Sequence, residues 1–172
     1  YLVGAGADLA ASEEDGMTAL MWAAATDHVE VAQYLVGAGA DLAASEEDGW
    51  TALMFAAQEG HIDVARYLVG AGADLAAISK EGKTALMCAA ESGHVGVAQY
   101  LVSAGADIAA VNNKGATALM YAAQKGNLEV AQYLVGAGAD LAAATKLGST
   151  ALMCAAERGH VDMAKYLVGA GA

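Results

Sequence analysis

The sequence contains no proline and few aromatic residues, and these shortages restrict the kinds of protein that it can encode. Aromatic residues make up 6% of the 172 residues, although 57% of the chain is hydrophobic and 21 residues are glycine. Much of the hydrophobic content is alanine, which suits short, closely packed helices better than a core of large rings. No apolar run approaches the roughly 18 residues of a membrane-spanning helix, and no signal peptide is visible at the start.

Basic residues are scarce in the first half of the chain. Residues 1–78 contain 13 acidic residues and one basic residue, Arg66, whereas residues 79–172 contain seven of each. The first half therefore carries 1 − 13 = −12, which is the whole net charge. Phosphate binding needs clustered Lys and Arg, so nucleic acid is not expected as a partner. The asymmetry suits either a protein partner with a basic patch or a solvated acidic surface that aids solubility.

Internal repetition is the dominant feature of the sequence. The four residues TALM recur every 33 residues, beginning at Thr18, Thr51, Thr84, Thr117 and Thr150. A tyrosine column has the same period and consists of Tyr1, Tyr34, Tyr67, Tyr100, Tyr133 and Tyr166. The segment 1–16 is repeated unchanged at 34–49. A fixed period of this length is typical of repeat proteins in which each unit stacks on its neighbours.

Each unit predicts two short helices joined by a turn, as residues 46–78 illustrate. Thr51 is a good N-cap for a first helix that stops at Gly60. A second helix is predicted to begin near Ile62 and to end at Gly70-Ala71-Gly72, where glycine can take the left-handed conformation. Helices of about eight residues are marginal alone, so the units must bury a core by stacking.

A 33-residue helix–turn–helix–loop unit of this kind resembles the ankyrin repeat. The second repeat matches the family pattern at Gly49, Thr51, Leu53, Ala56, Ala57, Gly60, His61 and residues 70–74. Similar matches recur in every unit and cover essentially the whole chain. The resemblance implies an all-α ankyrin-type solenoid with an L-shaped stack, a concave groove and a row of short hairpin-like loops.

The period divides residues 1–172 into a single array. We place a partial repeat at 1–12, repeats one to four at 13–45, 46–78, 79–111 and 112–144, and a truncated fifth repeat at 145–172. Neither end shows the polar capping repeat that solenoids use for solubility. The chain is therefore expected either to be a segment of a longer array or to stack head to tail through its ends.

Two departures from the ankyrin pattern predict a more apolar contact between repeats. Alanine replaces the family's proline at the first helical position, which removes a rigid start but keeps a strong helix former. Methionine replaces the histidine that the family uses for hydrogen bonds between repeats. These methionines are Met21, Met54, Met87, Met120 and Met153. Flexible apolar packing is expected to take over the role of the polar ties.

The two cysteines are expected to be free thiols. Cys88 and Cys154 are 66 residues apart, which is two repeat periods. Repeats that stack at roughly 8–10 Å place the thiols about 16–20 Å apart, whereas a disulfide needs Cα atoms within about 7 Å. Free thiols favour a reducing compartment, so the protein is interpreted as intracellular and cytoplasmic. A reactive cysteine is the weaker interpretation, because no residue pattern supplies an activating partner.

Several periodic features imitate chemical sites without the geometry of one. The glycines of VGAG, at positions 4 and 6 or 37 and 39, follow a helix and lack the third glycine of a dinucleotide-binding loop. Four histidines lie a repeat apart, too far to share one metal ion, and are interpreted as turn residues: His28, His61, His94 and His160.

A periodic aspartate column is assigned by the family resemblance rather than by spacing. The resemblance implies that these residues brace loops through hydrogen bonds to the backbone. They are Asp8, Asp41, Asp74, Asp107 and Asp140. No catalytic site, metal or cofactor is therefore expected.

Columns that vary between repeats are the candidates for partner binding. Three of them are expected to face outward: the residue before the repeated threonine, the three loop-tip residues, and the first-helix residue after the methionine. The first column is Met17, Trp50, Lys83, Ala116 and Ser149. The last column, expected to lie toward the groove, is Trp22, Phe55, Cys88, Tyr121 and Cys154.

The candidate partner-binding residues come from these columns and from Gln58, which points away from the core face of its helix. They are Glu14, Asp15, Met17, Trp22, Glu47, Asp48, Trp50, Phe55, Gln58, Lys80, Lys83, Lys114 and Tyr121. The aromatic residues of the last column either anchor a partner or pack beneath neighbouring side chains. Trp50, beside an acidic tip, is expected to be the more exposed tryptophan.

The sequence thus predicts a non-catalytic scaffold that binds a protein partner through its loop tips and concave groove. A partner with basic and apolar groups is expected to dock across repeats one and two, where both tryptophans lie near acidic EED tips. The alternative function is a structural spacer, or a rod that assembles head to tail without a specific ligand. Membranes and nucleic acid are not expected as partners.

Overall fold

The computed structural model describes residues 8–172, which form ten helices in five consecutive pairs. The first helices of the pairs are α1 (Ala19–Ala25), α3 (Ala52–Glu59), α5 (Ala85–Ser92), α7 (Ala118–Lys125) and α9 (Ala151–Glu157). The second helices are α2 (Val29–Gly37), α4 (Ile62–Gly70), α6 (Val95–Ser103), α8 (Leu128–Gly136) and α10 (Val161–Gly169). The predicted all-α helix–turn–helix–loop solenoid is confirmed. Tyr1 and the glycines at 4 and 6 lie outside the described residues.

The repeated threonine begins the first helix of every pair. In four repeats its hydroxyl oxygen accepts a hydrogen bond from the backbone N–H of the methionine three residues later, at 3.4 Å. Thr51 has the same extended backbone but makes no such bond. A side-chain cap of this type is worth about 1 kcal/mol, so the repeated threonine contributes to helix stability in most repeats.

The helices form two layers. The first helices pack most extensively on one another along the stack, and each second helix packs behind the first helix of its own pair. The alanines of the first helices allow this close approach, and Ala56 and Ala57 are completely buried. None of the helices between residues 8 and 172 is long and apolar enough to cross a membrane.

The methionine column lies in the core between repeats, as predicted. Met54 is completely buried, and Met21, Met87 and Met120 are no more than 2% exposed. Met153 is the exception, with 57% exposure, because no repeat covers it. Apolar packing has therefore taken over this position in the first four repeats.

Polar ties between repeats persist, however, at the turn between the paired helices. His61 Nε2 lies 3.1 Å from the carbonyl oxygen of Ala25, and His160 Nε2 lies 3.0 Å from that of Gln124. In repeat four the amide of Asn127 replaces the imidazole and donates to two carbonyls of the preceding repeat at 2.9 Å. The interpretation of the histidines as turn residues is incomplete for His61 and His160, because their side chains also join adjacent repeats.

The turn itself usually requires glycine. Gly60 has a φ of 81°, and a Cβ at this position would lie 2.5 Å from Nδ1 of His94. In repeat one the same position is Asp27, which has a φ of 59° and is the only non-glycine residue with positive φ between residues 8 and 172. Its carboxylate lies 3.8 Å from Nδ1 of His61. Repeat one therefore tolerates backbone strain that the other repeats avoid.

The connecting loops are hairpin-like and are joined to one another through the main chain. The N–H of the second tip residue donates to the carbonyl of the third tip residue one repeat earlier, at 2.7–3.0 Å. These bonds run from Glu47 to Asp15, Lys80 to Asp48, Asn113 to Glu81 and Lys146 to Lys114. The periodic aspartates brace the segments before the tips, as the resemblance implied. Each accepts from the N–H two residues later at 2.8–2.9 Å.

Candidate partner-binding groove

The first residue of each loop tip has a structural role that sequence reasoning missed. In four repeats its side chain accepts a hydrogen bond from the N–H of the residue before the repeated threonine, at 2.9–3.2 Å. The acceptors are Glu46, Ser79, Asn112 and Thr145. All four side chains carry an oxygen that can accept a hydrogen bond. This shared property could have predicted their role, although the residue types in the column vary.

The second and third tip residues are exposed in every repeat, whereas the first is exposed only in repeat one. All six tip candidates are exposed: Glu14, Asp15, Glu47, Asp48, Lys80 and Lys114. Their main-chain groups hold the tips together, so their side chains are largely free to meet a partner. Asp15 is the partial exception, because one carboxylate oxygen also accepts from the N–H of Met17 at 3.1 Å.

The column before the repeated threonine does not face outward along its whole length. Met17 is only 8% exposed and belongs to the hydrophobic core. The prediction that it faces outward is wrong, because this position lies where the loop meets the first helix and an apolar side chain folds inward. Trp50 and Lys83 are half-buried at the equivalent positions.

The groove column is most covered in repeats three and four, and Cys154 in repeat five is half-buried. Trp22 is 46% exposed, Phe55 is half-buried, Cys88 is 1% exposed and Tyr121 is 8% exposed. The prediction that this column faces outward is therefore right for Trp22 and wrong for Cys88 and Tyr121.

The expected order of the tryptophans is reversed. Trp50 is half-buried because its ring packs against that of Phe55, with 5.4 Å between centroids and an interplanar angle of 43°. Trp22 has no such ring contact between residues 8 and 172, and it is the more exposed tryptophan. Gln58, on the same helix as Phe55, is half-buried.

Tyr121 belongs to a cluster of side chains that covers its ring, and we call this cluster the Lys83 clasp. Its members are Lys83, Glu91, Asn112, Tyr121 and Lys125. The Lys83 ammonium lies over the Tyr121 ring, 5.0 Å from its centroid. Asn112 Nδ2 donates to the Tyr121 hydroxyl at 2.8 Å. Lys83 Nζ donates to Glu91 Oε2 at 2.8 Å, and Lys125 Nζ lies 3.4 Å from Glu91 Oε1. The groove of repeats three and four is thus filled by its own side chains.

The protonation of the clasp follows from this pairing. Burial alone would lower the pKa of Lys83, but its hydrogen bond to Glu91 and the neighbouring negative charges raise it above the ordinary value. Burial alone would raise the pKa of Glu91, but the hydrogen bond and charge of Lys83 lower it. Both groups therefore remain charged near neutral pH.

The cysteines are free, as predicted, and neither is activated. Burial raises the pKa of the Cys88 thiol to about 12. Burial and then the nearby Glu157 carboxylate raise the pKa of Cys154 as well. A thiol with a raised pKa is a poor nucleophile at neutral pH.

The groove of repeats one and two differs in having aromatic rings and acids without a base. Trp22, Phe55 and Trp50 line it, with the acidic tips at one edge. The only Lys or Arg of residues 8–78, Arg66, lies instead against the Tyr100 ring on the second-helix layer, 5.5 Å from its centroid. No three His, Cys, Asp or Glu side chains within 8–172 are placed to hold a metal ion.

Paired helices stacked in series, with main-chain bonds between loop tips, define a helical repeat solenoid. A model of the family "Ankyrin repeats (3 copies)" matches residues 1–79, 43–112, 75–145 and 109–172, so the chain belongs to the ankyrin repeat family. No curated protein matches the chain significantly. Ankyrin repeats are in general protein–protein interaction modules and are typically non-catalytic.

Proposed function

We propose that this protein is a non-catalytic scaffold that binds a protein partner with a basic patch through repeats one and two. The observation that carries the proposal is Trp22, a large aromatic side chain that is 46% exposed on the inner helix layer. Tryptophan is enriched in interface hot spots, where a ring is buried by the partner and its surroundings exclude water.

Charge supports the same surface. The second and third tip residues of repeats one and two are all acidic, and they are exposed beside the groove. A partner with clustered Lys or Arg would be attracted over about 8–10 Å at physiological ionic strength. The tips of repeats three to five carry lysines instead, at Lys80, Lys114 and Lys146. The row of tips therefore gives a basic partner a preferred position and orientation.

A displayed library of random peptides tests this function and does not require the natural partner. Peptides selected on the wild-type protein are expected to be net positive and to include apolar residues. Their binding is expected to weaken by at least about tenfold in Trp22→Ala, since truncation of a hot-spot residue costs about 2 kcal/mol or more. Tyr34→Ala is the matched control, because Tyr34 is 51% exposed and lies on the second-helix layer.

Two results would contradict the proposal. One is a selection that enriches no sequence above background. The other is a set of selected peptides that bind Trp22→Ala as tightly as the wild type. Circular dichroism of both variants separates lost binding from lost folding.

A second candidate function, assembly into a rod, is favoured by the uncovered apolar face of the fifth repeat. Met153 is 57% exposed, whereas the equivalent Met120 is 2% exposed beneath the next repeat. Val161 and Val168 are also exposed, and a cavity of about 630 Å³ is lined mainly by alanine, valine and glycine of α9 and α10. A further repeat is the occupant that we propose for this face, because a repeat covers the same face everywhere else in the stack, and in the rod that repeat comes from a second copy of this chain.

Light scattering across a concentration series tests this assembly. The mean mass of the wild type is expected to rise with concentration, and Met153→Glu is expected to abolish the rise by placing a charge in the contact. Glu129→Ala, at an exposed position of α8 inside the array, is the surface control. A wild type that stays strictly monomeric excludes the rod.

A further inference from the structure

The Lys83 clasp shows how the groove of this fold holds a cation. The ammonium lies against an aromatic face on one side and forms a 2.8 Å hydrogen bond to a carboxylate on the other. Both contacts favour a charged amine, the ring through its quadrupole and the carboxylate through its charge. A basic side chain is therefore a natural occupant of this groove.

Two periods earlier, the same positions keep the ring and lose the bases. Phe55 stands at the position of Tyr121, whereas Met17 replaces Lys83, Glu59 replaces Lys125 and Ala25 replaces Glu91, so the remaining acids are Glu59 and those of the loop tip. Asp15 keeps the acid that Glu81 provides beside the clasp. This part of the groove has aromatic rings and acids without an internal cation.

The exposed ring nearest to these positions is Trp22, on the neighbouring helix. No Lys or Arg lies over Trp22, Trp50 or Phe55 in the described part of the chain. Glu59 is exposed at the end of α3, and Glu14 and Asp15 are exposed at the first tip. An incoming cation would thus find an open aromatic face with carboxylates nearby.

The repeat spacing also sets a register for an extended peptide. Adjacent helices pack roughly 8–10 Å apart, and an extended chain advances about 3.3 Å per residue. Every third residue of the peptide would therefore meet the same column in the next repeat. A pair of bases spaced i and i+3 matches Trp22 in repeat one and the Trp50–Phe55 pair in repeat two.

We propose that the partner presents an extended segment with arginines at i and i+3, and that one guanidinium stacks on Trp22 while the acidic residues of repeats one and two surround the segment. This inference rests on the proposed function and names the chemistry of its partner. Arginine fits better than lysine, because its planar guanidinium stacks on rings and pairs with carboxylates at the same time.

The test uses synthetic nine-residue peptides in a glycine–serine background, with binding measured by fluorescence anisotropy at low and physiological salt. The peptide with arginines at positions 3 and 6 is expected to bind the wild type. Replacement of both arginines by citrulline, which keeps the shape and removes the charge, is expected to weaken binding at least about tenfold. Placing the arginines at positions 3 and 4 is expected to weaken it by a smaller factor.

Protein variants assign the site. Trp22→Ala is expected to weaken binding of the spaced arginine peptide about fivefold or more, whereas Trp22→Phe retains most of the affinity and Tyr34→Ala changes nothing. The double variant Glu14→Gln and Asp15→Asn is expected to weaken binding of the same peptide, and most strongly at low salt, because salt screens exposed charges.

Three outcomes would overturn the inference. They are citrulline and arginine peptides that bind equally, binding that Trp22→Ala leaves unchanged, and equal affinity for both arginine spacings. If the library peptides still bind in a Trp22-dependent manner in such a case, the proposed function survives and only the arginine inference fails. If neither type of peptide binds, both fail.

Discussion

The groove of repeats one and two and the groove of repeats three and four are built from equivalent helices and columns but present different chemistry. The later groove places a lysine over a tyrosine and pairs it with Glu91, so its polar groups bind one another. The earlier groove exposes Trp22 and is bordered by acids that have no basic partner nearby. Within the array Tyr121 is 8% exposed and Phe55, two repeats earlier, is half-buried, so a few side chains decide how far the groove is closed.

The shared core of the repeats explains how two grooves with different side chains can occur in one chain. The repeats share a core of methionine, leucine and alanine, and stability in a solenoid is approximately a sum of repeat and interface terms. A change in one groove is consequently felt mainly by the adjacent repeats. Paired substitutions at equivalent positions can test the comparison directly.

The largest expected effect comes from removing the aromatic ring in each groove. Tyr121→Ala is expected to lower the free energy of unfolding by about 3 kcal/mol, because it removes a buried ring. Trp22→Ala is expected to lower it by less than about 1 kcal/mol, because the ring is half in solvent. Urea denaturation followed by circular dichroism measures both values. Similar losses for the two variants would contradict the contrast between a covered and an open groove.

The next effect concerns the acid of the clasp. Glu91→Ala is expected to cost about 2 kcal/mol, since it removes a charged hydrogen bond and leaves Lys83 largely covered without its main partner. The Lys83 side chain is 14% exposed and that of Glu91 is 25% exposed. Gln58→Ala, one repeat earlier in the same column, is the matched control and is expected to cost about 0.5 kcal/mol or less. A Glu91 variant as stable as the wild type would show that the clasp contributes nothing to the fold.

The charge of Glu91 makes a smaller, pH-dependent contribution. Its pKa in the folded protein lies below the ordinary value of 4.5, so its contribution is present above pH 4.5 and is lost as the pH falls through the lowered pKa. The pKa of Lys83 is raised above 10.5, so its contribution is present below that pH and is lost only above it. Between pH 5 and pH 8 we expect the free energy of unfolding of Glu91→Gln to be about 1 kcal/mol lower than that of the wild type.

The measurement is urea denaturation of both proteins from pH 3 to pH 8. The difference in unfolding free energy is expected to be flat from pH 5 to pH 8 and to shrink below pH 4.5. A difference that grows as the pH falls would have the wrong sign. Gln58→Ala provides the pH-independent reference.

The smallest effect is a gain in stability in repeat one. Asp27→Gly is expected to raise the free energy of unfolding by about 0.5 kcal/mol, because a side chain at φ 59° is strained and glycine is not. Asp27→Asn is the control for charge, since asparagine keeps the side chain and removes only the negative charge. A gain of equal size in both variants would assign the effect to the charge beside His61 rather than to the backbone.

The repeat pattern was sufficient to predict the local structure. The threonine at the start of the first helix, the stop at Gly60 and the second helix from Ile62 depend on residues that are close in sequence, and the structure places all three as expected, although the Thr51 hydroxyl makes no cap bond. The family resemblance supplied the bracing role of the aspartates, which the spacing of the residues alone did not determine.

Exposure in the groove could not be predicted in the same way. A helical wheel places Trp22 and Tyr121 identically, but their burial depends on side chains in neighbouring repeats, above all on Lys83. Trp50 is likewise covered because Phe55 faces it. The acceptor role of Glu46 and its equivalents was missed because four different residue types share it.

The bonds between loop tips have a consequence for how such a protein acquires new partners. Because each tip is joined to the next by a bond from a main-chain N–H to a carbonyl, such as Glu47 to Asp15, its second and third side chains can be exchanged without breaking that bond. Asn113 adds a side-chain bond of its own to the carbonyl of Lys80 at 2.7 Å. In repeats two to five the first tip residue supplies an oxygen acceptor, and in repeat one Asp15 does so instead. Each repeat thus has two adjacent exposed positions whose side chains can change the binding specificity of that repeat while the fold stays the same.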